Sequence, residues 1–422
     1  MANTFSKEER VAFEDILEGF EDALVISRNV SKYGTNAQMM ERANDTIWRP
    51  MPYIMSSQDR VVGTDITFQD VKQLSVPSNI GFQKSVPWKM DALELRDALQ
   101  EGRLGQAAYQ RLASDVNTAV RDVASLQGTM VVSIATAAGT YADIAQAESL
   151  MNEQGIAEGD RYLALSTRDY NGLASDLAAR QTMAGKPTSA YERSYVGNVA
   201  GLETYKMDAG KRIAAAGGGT RTIATNGAQV QYVPKSSESV TAGVINVDNR
   251  YQTVTVSATT GVVAGDCFTI AGIQAVHHIT KEATGQLKTF RVISVDSGTT
   301  MTISPPLIGA NQGSPTDAEL AYKNCEVVST SATAAIVWLN VTAAAANPFW
   351  HKDSIEILPA SYAVPTDQGV DVMKGTIDQG LEVCMTKFFN NKTYVSEYAL
   401  DVRFGVVNTN PEMNGIILFG QT

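Results

Sequence analysis

The stretch from Glu101 to Gly128 reads EGRLGQAAYQRLASDVNTAVRDVASLQG and has the pattern of one long α-helix. Gly102 and Gly105 stand near its beginning, Gly128 supplies a stop signal, and no proline interrupts it. Apolar residues recur at the three- and four-residue steps of one helix face, namely Leu104, Ala108, Leu112, Val116, Ala119, Val120, Val123 and Leu126. At ~1.5 Å per residue this helix would be ~35 Å long, so it predicts an element that crosses a whole domain.

The overall composition predicts a folded chain. With 422 residues, 44% hydrophobic and 19% charged, the chain has enough apolar side chains for two or three domains with cores. The three cysteines, Cys267, Cys325 and Cys384, are far apart and have no metal-ligand spacing, so we expect reduced, buried thiols. The first residues are charged rather than apolar, and no run of eighteen apolar residues occurs. We therefore expect neither a signal peptide nor a membrane span.

The net charge of −11 bears on nucleic-acid binding. A protein that reads a nucleic-acid sequence needs basic patches that neutralise phosphates. An acidic chain can still lie next to DNA without binding it tightly, so the charge excludes sequence recognition rather than proximity.

Residues 6–24 have the pattern of an amphipathic helix rich in acidic residues. Ser6 and Glu9 have the spacing of a capping box. The apolar stripe consists of Phe13, Ile16, Leu17, Phe20 and Leu24. The pattern leaves two interpretations open, a helix packed on its own domain or an arm that docks on another chain.

Residues 44–90 lack a helical period and contain short alternating segments between prolines. This pattern predicts an extended two-stranded loop that leads into a short helix, Met90–Gln100. Because such a loop cannot hold a core of its own, we expect it to contact something outside its domain.

After the long helix the pattern is mixed α/β. We predict helices at Tyr141–Gln154, from Ser166 onward and at Thr188–Tyr195, with a buried strand at Tyr162–Leu165. From Asn347 onward strands are again expected, and the apolar residues near the C-terminus should lie within a sheet.

The composition changes at Ala214. Gly217, Gly218 and Gly219 follow as a flexible joint, the predicted hinge. From there to about Val341 short alternating strands and turn residues predict an all-β barrel or sandwich. Since both flanks are mixed α/β, this segment has the pattern of a domain inserted at an exposed joint.

The sequence contains no catalytic signature. His277 and His278 are adjacent and would point to opposite faces of a strand, so they cannot easily share a metal ion. His351 is isolated, and packing beside Trp350 is the better interpretation. The glycine-lysine segment near residue 186 lacks the first glycine of a phosphate loop. We therefore predict no enzyme activity, no catalytic residues, no cofactor and no metal site.

Four segments carry a family resemblance. They are Asn44–Pro50, Val247–Gly261, Asn347–Trp350 and the C-terminal Phe404–Glu412 with Gly420–Thr422, and the second is the most specific. In this order along the chain they resemble the major capsid (coat) protein of short-tailed double-stranded-DNA phages that infect enteric bacteria. The resemblance implies an α+β chain with a Hong Kong 97-type capsid fold that carries an inserted β-barrel domain.

The resemblance also implies a division of the chain. Its predicted parts are an N-terminal arm at residues 1–35; a peripheral domain at 36–129 with an extended loop at about 45–88 and a spine helix at about 104–128; an axial domain at 130–220 and 346–395; the inserted barrel at 221–345; and a return to the peripheral domain at 396–422.

The implied function is to form the icosahedral shell of the virion from hexamers and pentamers. The implied partners are a scaffolding protein, a portal protein and packaged double-stranded DNA bound without sequence recognition, with no membrane. Assembly in the bacterial host cytoplasm would precede expansion of the shell during DNA packaging. Two alternatives stay open: a different phage structural protein (tail tube or decoration protein), and an enzyme with a β-barrel accessory domain.

Two sets of charged residues are the candidate contact sites. Asp15, Glu18 and Asp22 of the acidic helix are predicted to meet a basic surface of the scaffolding protein. The segment Gln231–Val247 is predicted to be a protruding loop. In the family the corresponding loop reaches a neighbouring capsomer across a two-fold axis, so Lys235 and Glu238 would pair between subunits. The alternative is a solvated loop whose charges touch nothing.

Overall fold

The computed structural model describes the chain over most of its length. The described residues are 7–34, 46–52, 54–55, 60–66, 68, 70–91, 98–179, 196–207, 209–241, 243–310, 314–362, 371–377 and 380–421. The chain forms two units that we call the first unit (Met1–Ile47, Ser78–Arg121 and Ile355–Val407) and the second unit (Trp48–Pro77, Asp122–Ser354 and Asn408–Thr422). These units do not coincide with the predicted peripheral, axial and inserted parts, and that finer division stays a prediction.

The described residues contain five α-helices: α1 (Lys7–Ala23), α2 (Ala98–Gln127), α3 (Tyr141–Glu153), α4 (Thr167–Ala179) and α5 (Asp317–Tyr322). The predicted acidic helix, the long helix and the two helices that follow it are confirmed. The helix predicted at Thr188–Tyr195 lies outside the described residues. None of the described helices combines the length and the apolar character that a membrane crossing requires.

The strands, in chain order, are β1 (Ser31–Lys32), β2 (Ile47–Pro50), β3 (Ser75–Ser78), β4 (Phe82–Asp91), β5 (Met130–Ser133), β6 (Arg161–Ser166), β7 (Asn198–Val199), β8 (Leu202–Met207), β9 (Lys211–Ile213), β10 (Arg221–Ile223), β11 (Ser237–Val240), β12 (Gly243–Asn246), β13 (Gln252–Thr255), β14 (Cys267–Val276), β15 (Ala283–Val295), β16 (Thr300–Ser304), β17 (Cys325–Val327), β18 (Ala334–Trp338), β19 (Ala344–His351), β20 (Ile355–Ala360), β21 (Asp371–Thr376), β22 (Glu382–Asn390), β23 (Val395–Asn408) and β24 (Asn414–Leu418). The fold class is α+β, as predicted.

The first unit is built on one sheet in the order β1-β20-β23-β22-β21, with β4 paired to β23. The pairing of β4 is antiparallel and continues to the end of the strand, where Met90 lies opposite Ser396 and Asp91 opposite Val395. The short helix predicted from Met90 is therefore wrong at Met90 and Asp91. Met90 is fully buried, and pairing with β23 outweighs the helical tendency of this segment.

Helix α2 begins earlier than the sequence pattern predicted. It starts at Ala98 and runs through Gly102 and Gly105, which were expected to mark its beginning. At Gly105 the reason is packing, because a Cβ there would lie 2.8 Å from Cδ1 of Ile16 in α1. The glycine allows the two helices of the first unit to approach closely, so it is a contact position rather than a helix start.

The second unit contains two seven-stranded sheets in addition to short two-stranded pairings. The first has the order β5-β24-β19-β6-β8-β7, with β9 paired to β19. Its core includes Met130, Leu163, Phe349 and Ile417, packed with residues of α3 and α4. Because β24 lies between β5 and β19, the apolar C-terminal segment is held within a sheet, as predicted.

The other seven-stranded sheet, which we call the inserted sheet, is built from strands that lie between Arg221 and Trp338. Its order is β10-β18-β14-β15-β16-β13, with β17 paired to β14. An antiparallel bridge between Ile223 and Val256 joins its two edges, and this closes the sheet in the manner of the predicted barrel. Stacked Phe268 and Phe290, with ring centroids 5.6 Å apart, lie in its core.

Candidate assembly surfaces

Helix α1 packs on its own unit through its apolar face. Phe13, Ile16 and Phe20 are at most 6% exposed. Two glycines allow the close contact, since a Cβ on Gly19 would lie 2.6 Å from the Tyr109 ring and one on Gly375 would lie 2.2 Å from Leu17. The structure therefore agrees with the first interpretation, in which the helix packs its apolar stripe on its own domain.

A buried ion pair adds to the attachment of α1. The carboxylate of Glu9 accepts hydrogen bonds from the Lys387 ammonium and, at 3.0 Å, from the Tyr398 hydroxyl. The Tyr398 ring in turn stacks on Trp88 at 5.6 Å between centroids. Since Glu9 is 6% exposed, its charge depends on these partners, and they come from two strands of the sheet below the helix.

The opposite face of α1 is acidic and open to solvent. Glu14, Asp15 and Glu18 are exposed. Asp22 lies in the helix, but its side chain is outside the described part. Two of the three predicted scaffold-contact residues, Asp15 and Glu18, are therefore accessible while the helix stays packed.

The segment predicted as a protruding loop contains a β-hairpin, β11 paired with β12. All eight residues of the two strands are exposed, and Val244 is 74% exposed. The hairpin pairs with no further strand among the described residues. The segment is exposed, as predicted, and it is a two-stranded ladder rather than an irregular loop.

Lys235 and Glu238 form an ion pair within the same chain. Lys235 Nζ lies 3.4 Å from Glu238 Oε1, and the two side chains are 51% and 50% exposed. The base of the hairpin is fixed by Asn249, whose Nδ2 donates to Lys235 O at 2.7 Å while its Oδ1 accepts from Lys235 N at 3.0 Å. The two charges predicted to pair between subunits are thus held side by side on one exposed element.

The extended loop exposes apolar side chains. Val62 is fully exposed, Phe68 is 89% exposed and Met55 is 69% exposed. A single exposed apolar residue is ordinary, but several on one segment give an exposed apolar surface, so contact with another molecule stays a prediction for this loop.

The predicted hinge glycines occupy close contacts. A Cβ on Gly217 would lie 2.9 Å from Gly261 O, and one on Gly218 would lie 2.5 Å from the Trp338 ring. Trp338 Nε1 donates to Gly219 O at 2.7 Å. The hinge role of these residues stays a prediction, but their packing gives a second physical reason for glycine.

The histidines and cysteines have structural surroundings. His277 Nδ1 accepts hydrogen bonds from the backbone amides of Ile279 and Thr280, both at 3.2 Å. His351 is 8% exposed, which agrees with the packing interpretation. All three thiols are free and buried, and burial raises the pKa of Cys325 to about 12 and that of Cys384 to about 11. The described residues contain no group of three or more potential metal ligands.

No sequence pattern indicates a set of polar contacts that β15 makes. Lys288 Nζ lies 2.5 Å from Glu412 Oε1, and Thr289 Oγ1 donates to Thr129 O at 2.7 Å. Arg291, which is fully buried, donates from Nη2 to Ser125 O. Burial alone would raise the pKa of Glu412, but the Lys288 ammonium holds it below its usual value. The two cations stand in an ordinary alternating strand, and nothing in that pattern indicates partners so far away in the sequence.

Comparison with known structures finds phage capsids. A capsid structure of the cyanophage P-SCSP1u is 11% identical, with a TM-score of 0.43 over 93% of this chain and 86% of that chain. The asymmetric unit of the bacteriophage PhiM1 mature capsid is 11% identical, with a TM-score of 0.44 over 94% and 87%. The CUS-3 coat protein I-domain is 38% identical and covers 29% of this chain and 96% of that chain, with a TM-score of 0.22. At TM-scores below 0.5 these likenesses do not define the fold by themselves.

Comparison with protein families gives a match over nearly the whole chain. The family described as "P22 coat protein - gene protein 5" matches residues 1–420. This agrees with the resemblance seen in the four sequence segments and favours a coat protein over a tail tube or decoration protein. The members of this family are structural capsid proteins rather than enzymes. The chain belongs to the P22 coat protein family.

Proposed function

We propose how this coat protein, the major capsid protein of an icosahedral phage shell, assembles that shell. In this proposal hexamers and pentamers form in the host cytoplasm around a scaffolding protein and a portal protein, and the shell expands as double-stranded DNA enters. The observation that supports the proposal most directly is the division of α1 into a buried apolar face and an exposed acidic face. The net charge of −11 supports a shell that encloses DNA without reading its sequence.

The acidic face of α1 would contact a basic surface of the scaffolding protein while the helix stays packed. Asp15 and Glu18 are exposed, so their charges are available to a partner. Each exposed ion pair contributes about 0.2–1 kcal/mol and weakens with salt. Several such pairs would give a contact that forms during assembly and can be released later.

Neutralising this face tests the proposal. A triple variant with Asp15→Asn, Glu18→Gln and Asp22→Asn should contain less scaffolding protein in newly assembled shells. The amount of bound scaffolding protein should also depend less on the salt concentration. The matched control is Glu153→Gln, Glu158→Gln and Asp160→Asn, which removes three exposed charges elsewhere. Equal scaffold content in both triple variants, with unchanged salt dependence, would exclude this role for α1.

The hairpin β11–β12 would contact its mate across a two-fold axis between capsomers. In a two-fold contact residue i meets j while j meets i, so Lys235 of each subunit could face Glu238 of the other. The pair already made within one chain, at 3.4 Å, is the competing arrangement. Because both side chains are about half exposed, exchange between the two arrangements costs little.

A mixture of two single variants distinguishes the ion pair within one chain from the ion pair between subunits. Lys235→Glu creates two acids on the hairpin, and Glu238→Lys creates two bases, so each variant alone loses the internal pair and should give open particles. A one-to-one mixture restores opposite charges only between chains. Electron microscopy should then show closed shells. If the mixture stays open, or if either single variant closes normally, the charges do not act between subunits.

A further inference from the structure

Three side chains of strand β15, those of Lys288, Thr289 and Arg291, contact residues outside the inserted sheet. Thr289 and Arg291 reach carbonyl oxygens at the C-terminal end of α2, Thr129 O and Ser125 O. Lys288, 5% exposed, reaches the carboxylate of Glu412 in the short turn Pro411–Met413. All of these residues belong to the second unit. One strand thus holds two segments that are more than a hundred residues away in sequence.

The contact with α2 has a specific physical basis. The last carbonyl groups of a helix lack intrahelical partners and carry the negative end of its dipole. Helix α2 has no basic residue in its own last turn. Arg291 supplies the missing cation from the inserted sheet, and its full burial strengthens the interaction with Ser125 O.

Two further contacts lie at the same place. A Cβ on Gly265 would lie 3.3 Å from Leu126 Cδ2, so the turn before β14 packs directly on the last turn of α2. Arg250, held by Asp248 at 2.7 Å, donates from Nη1 to Asn408 O at 2.7 Å. The end of α2 and the segment at residues 408–412 are therefore both held by side chains of residues 248–291.

The triple glycine makes a different kind of contact. Gly218 packs on Trp338, and Trp338 donates to Gly219 O, so these contacts stay between the linker and the inserted sheet. Ala216 N likewise donates to Asn340 O at 2.8 Å, at the other end of the insertion. Contacts of this kind do not fix the sheet relative to α2.

We infer that Lys288, Thr289 and Arg291 are positioning residues that fasten the inserted sheet to the C-terminal end of α2 and to the turn Pro411–Met413. This joint, rather than the glycine linker, sets the orientation of the inserted sheet. Within the second unit, the sheet consequently keeps its position relative to the last turn of α2. The proposal concerns the single subunit and does not depend on the scaffold or hairpin contacts.

Amide hydrogen exchange on the full chain tests the joint. Arg291→Met should raise exchange at residues 125–129 by about tenfold or more, because it removes a hydrogen bond from a charged donor. Thr289→Val should raise it less. Thr253→Val is its matched control, since the side chain of Thr253 bonds Thr302 within the inserted sheet, at 3.1 Å, and no other residue in the described part of the chain. Unchanged exchange at 125–129 in Arg291→Met would overturn the proposal.

Arg291→Lys separates positioning from general destabilisation. Among the described residues Nε and Nη1 of Arg291 have no hydrogen-bond partner, so only one N–H of the guanidinium contributes to the joint. A lysine ammonium can replace that bond, and exchange at 125–129 should return to the level of the unmodified chain. If Lys and Met at this position raise exchange equally, the joint does not work through this bond.

Cryo-electron microscopy of assembled shells gives a second readout. In a Lys288→Met, Thr289→Val, Arg291→Met variant, the density of the inserted sheet should blur relative to the rest of the subunit. Gly219→Asn is the control, because asparagine tolerates the positive φ of 58° found at this position. In this variant the density of the inserted sheet should stay as sharp as in the unmodified chain. A sharp sheet in the triple variant, or a blurred one in Gly219→Asn, would assign its orientation to the linker.

Discussion

Helix α1 and the hairpin β11–β12 are both predicted to contact other molecules, but they differ in how much of their surface is buried in the subunit. The apolar face of α1 is buried against the sheet of its own unit, and Glu9 of the helix pairs with Lys387 of that sheet. In contrast, every residue of the hairpin strands is exposed. A helix of 17 residues carries a wide apolar stripe that one neighbouring sheet can cover. A two-stranded hairpin has no such stripe and is only marginally stable alone.

This difference separates two ways of contributing to a shell. Changes under α1 should alter the stability of the subunit before they alter assembly. Changes on the hairpin should leave stability unaffected and act only when subunits meet. Four measurements test this difference.

The largest effect is expected at Phe20, a residue of α1 whose side chain is fully buried. Phe20→Ala should lower the free energy of unfolding by about 3–5 kcal/mol, because it removes apolar contacts and leaves a cavity. Urea unfolding of the full chain measures this, and Val11→Ala on the same helix, where the side chain is 58% exposed, is the control. Similar small losses in both variants would show that α1 is not held by its apolar face.

A loss of about 3 kcal/mol is expected for Lys387→Met, since it leaves the Glu9 carboxylate buried without its cation. The double variant Glu9→Gln, Lys387→Met should recover most of that loss, because no unpaired charge remains. Unfolding curves for the two single variants and the double variant give the coupling energy. A coupling near zero would mean that the pair does not help to hold the helix.

A smaller, pH-dependent effect extends the contrast to the inserted sheet. Burial, opposed by Glu412 and assisted by the cations of Lys288 and Lys323, lowers the pKa of Lys281 from 10.5 to about 8. Between these two values the unfolded chain binds a proton that the folded chain has released. Stability therefore rises as the pH increases from about 8 to about 10.5.

After allowance for solvent screening, this increase amounts to roughly 1 kcal/mol. The measurement is thermal unfolding of the full chain across that pH range, compared with Lys281→Met. The variant should lose the increase. An identical increase in both chains would place the titrating group elsewhere.

The smallest change in stability is expected on the hairpin. Val244→Ser and Ile245→Ser replace side chains that are 74% and 49% exposed, so the free energy of unfolding should stay within about 0.5 kcal/mol. The fraction of closed shells, counted by electron microscopy, should nevertheless fall. A large loss of stability would show that these hairpin side chains pack on their own chain.

The sequence alone determined the elements whose own residues carry a strong period. The long helix α2, the amphipathic α1, the buried strand β6 and the alternating strands β13, β15 and β16 follow from apolar spacing. The burial of the C-terminal segment and of the cysteines also followed from composition. The resemblance of four segments supplied the family, because such segments preserve residue identity as well as pattern.

The tertiary structure decided everything that depends on a partner far away in the chain. Met90 and Asp91 are in a strand because β23 pairs with them, and Gly105 lies inside a helix because Ile16 packs against it. Glu9 pairs with Lys387, and Arg291 donates a hydrogen bond to Ser125 O at the end of α2. In both cases the partners are too far apart in the sequence for a local pattern to indicate them. Periodicity shows which face of an element is apolar. It cannot show what covers that face or which carbonyl a buried cation will reach, because those depend on how distant segments are folded together.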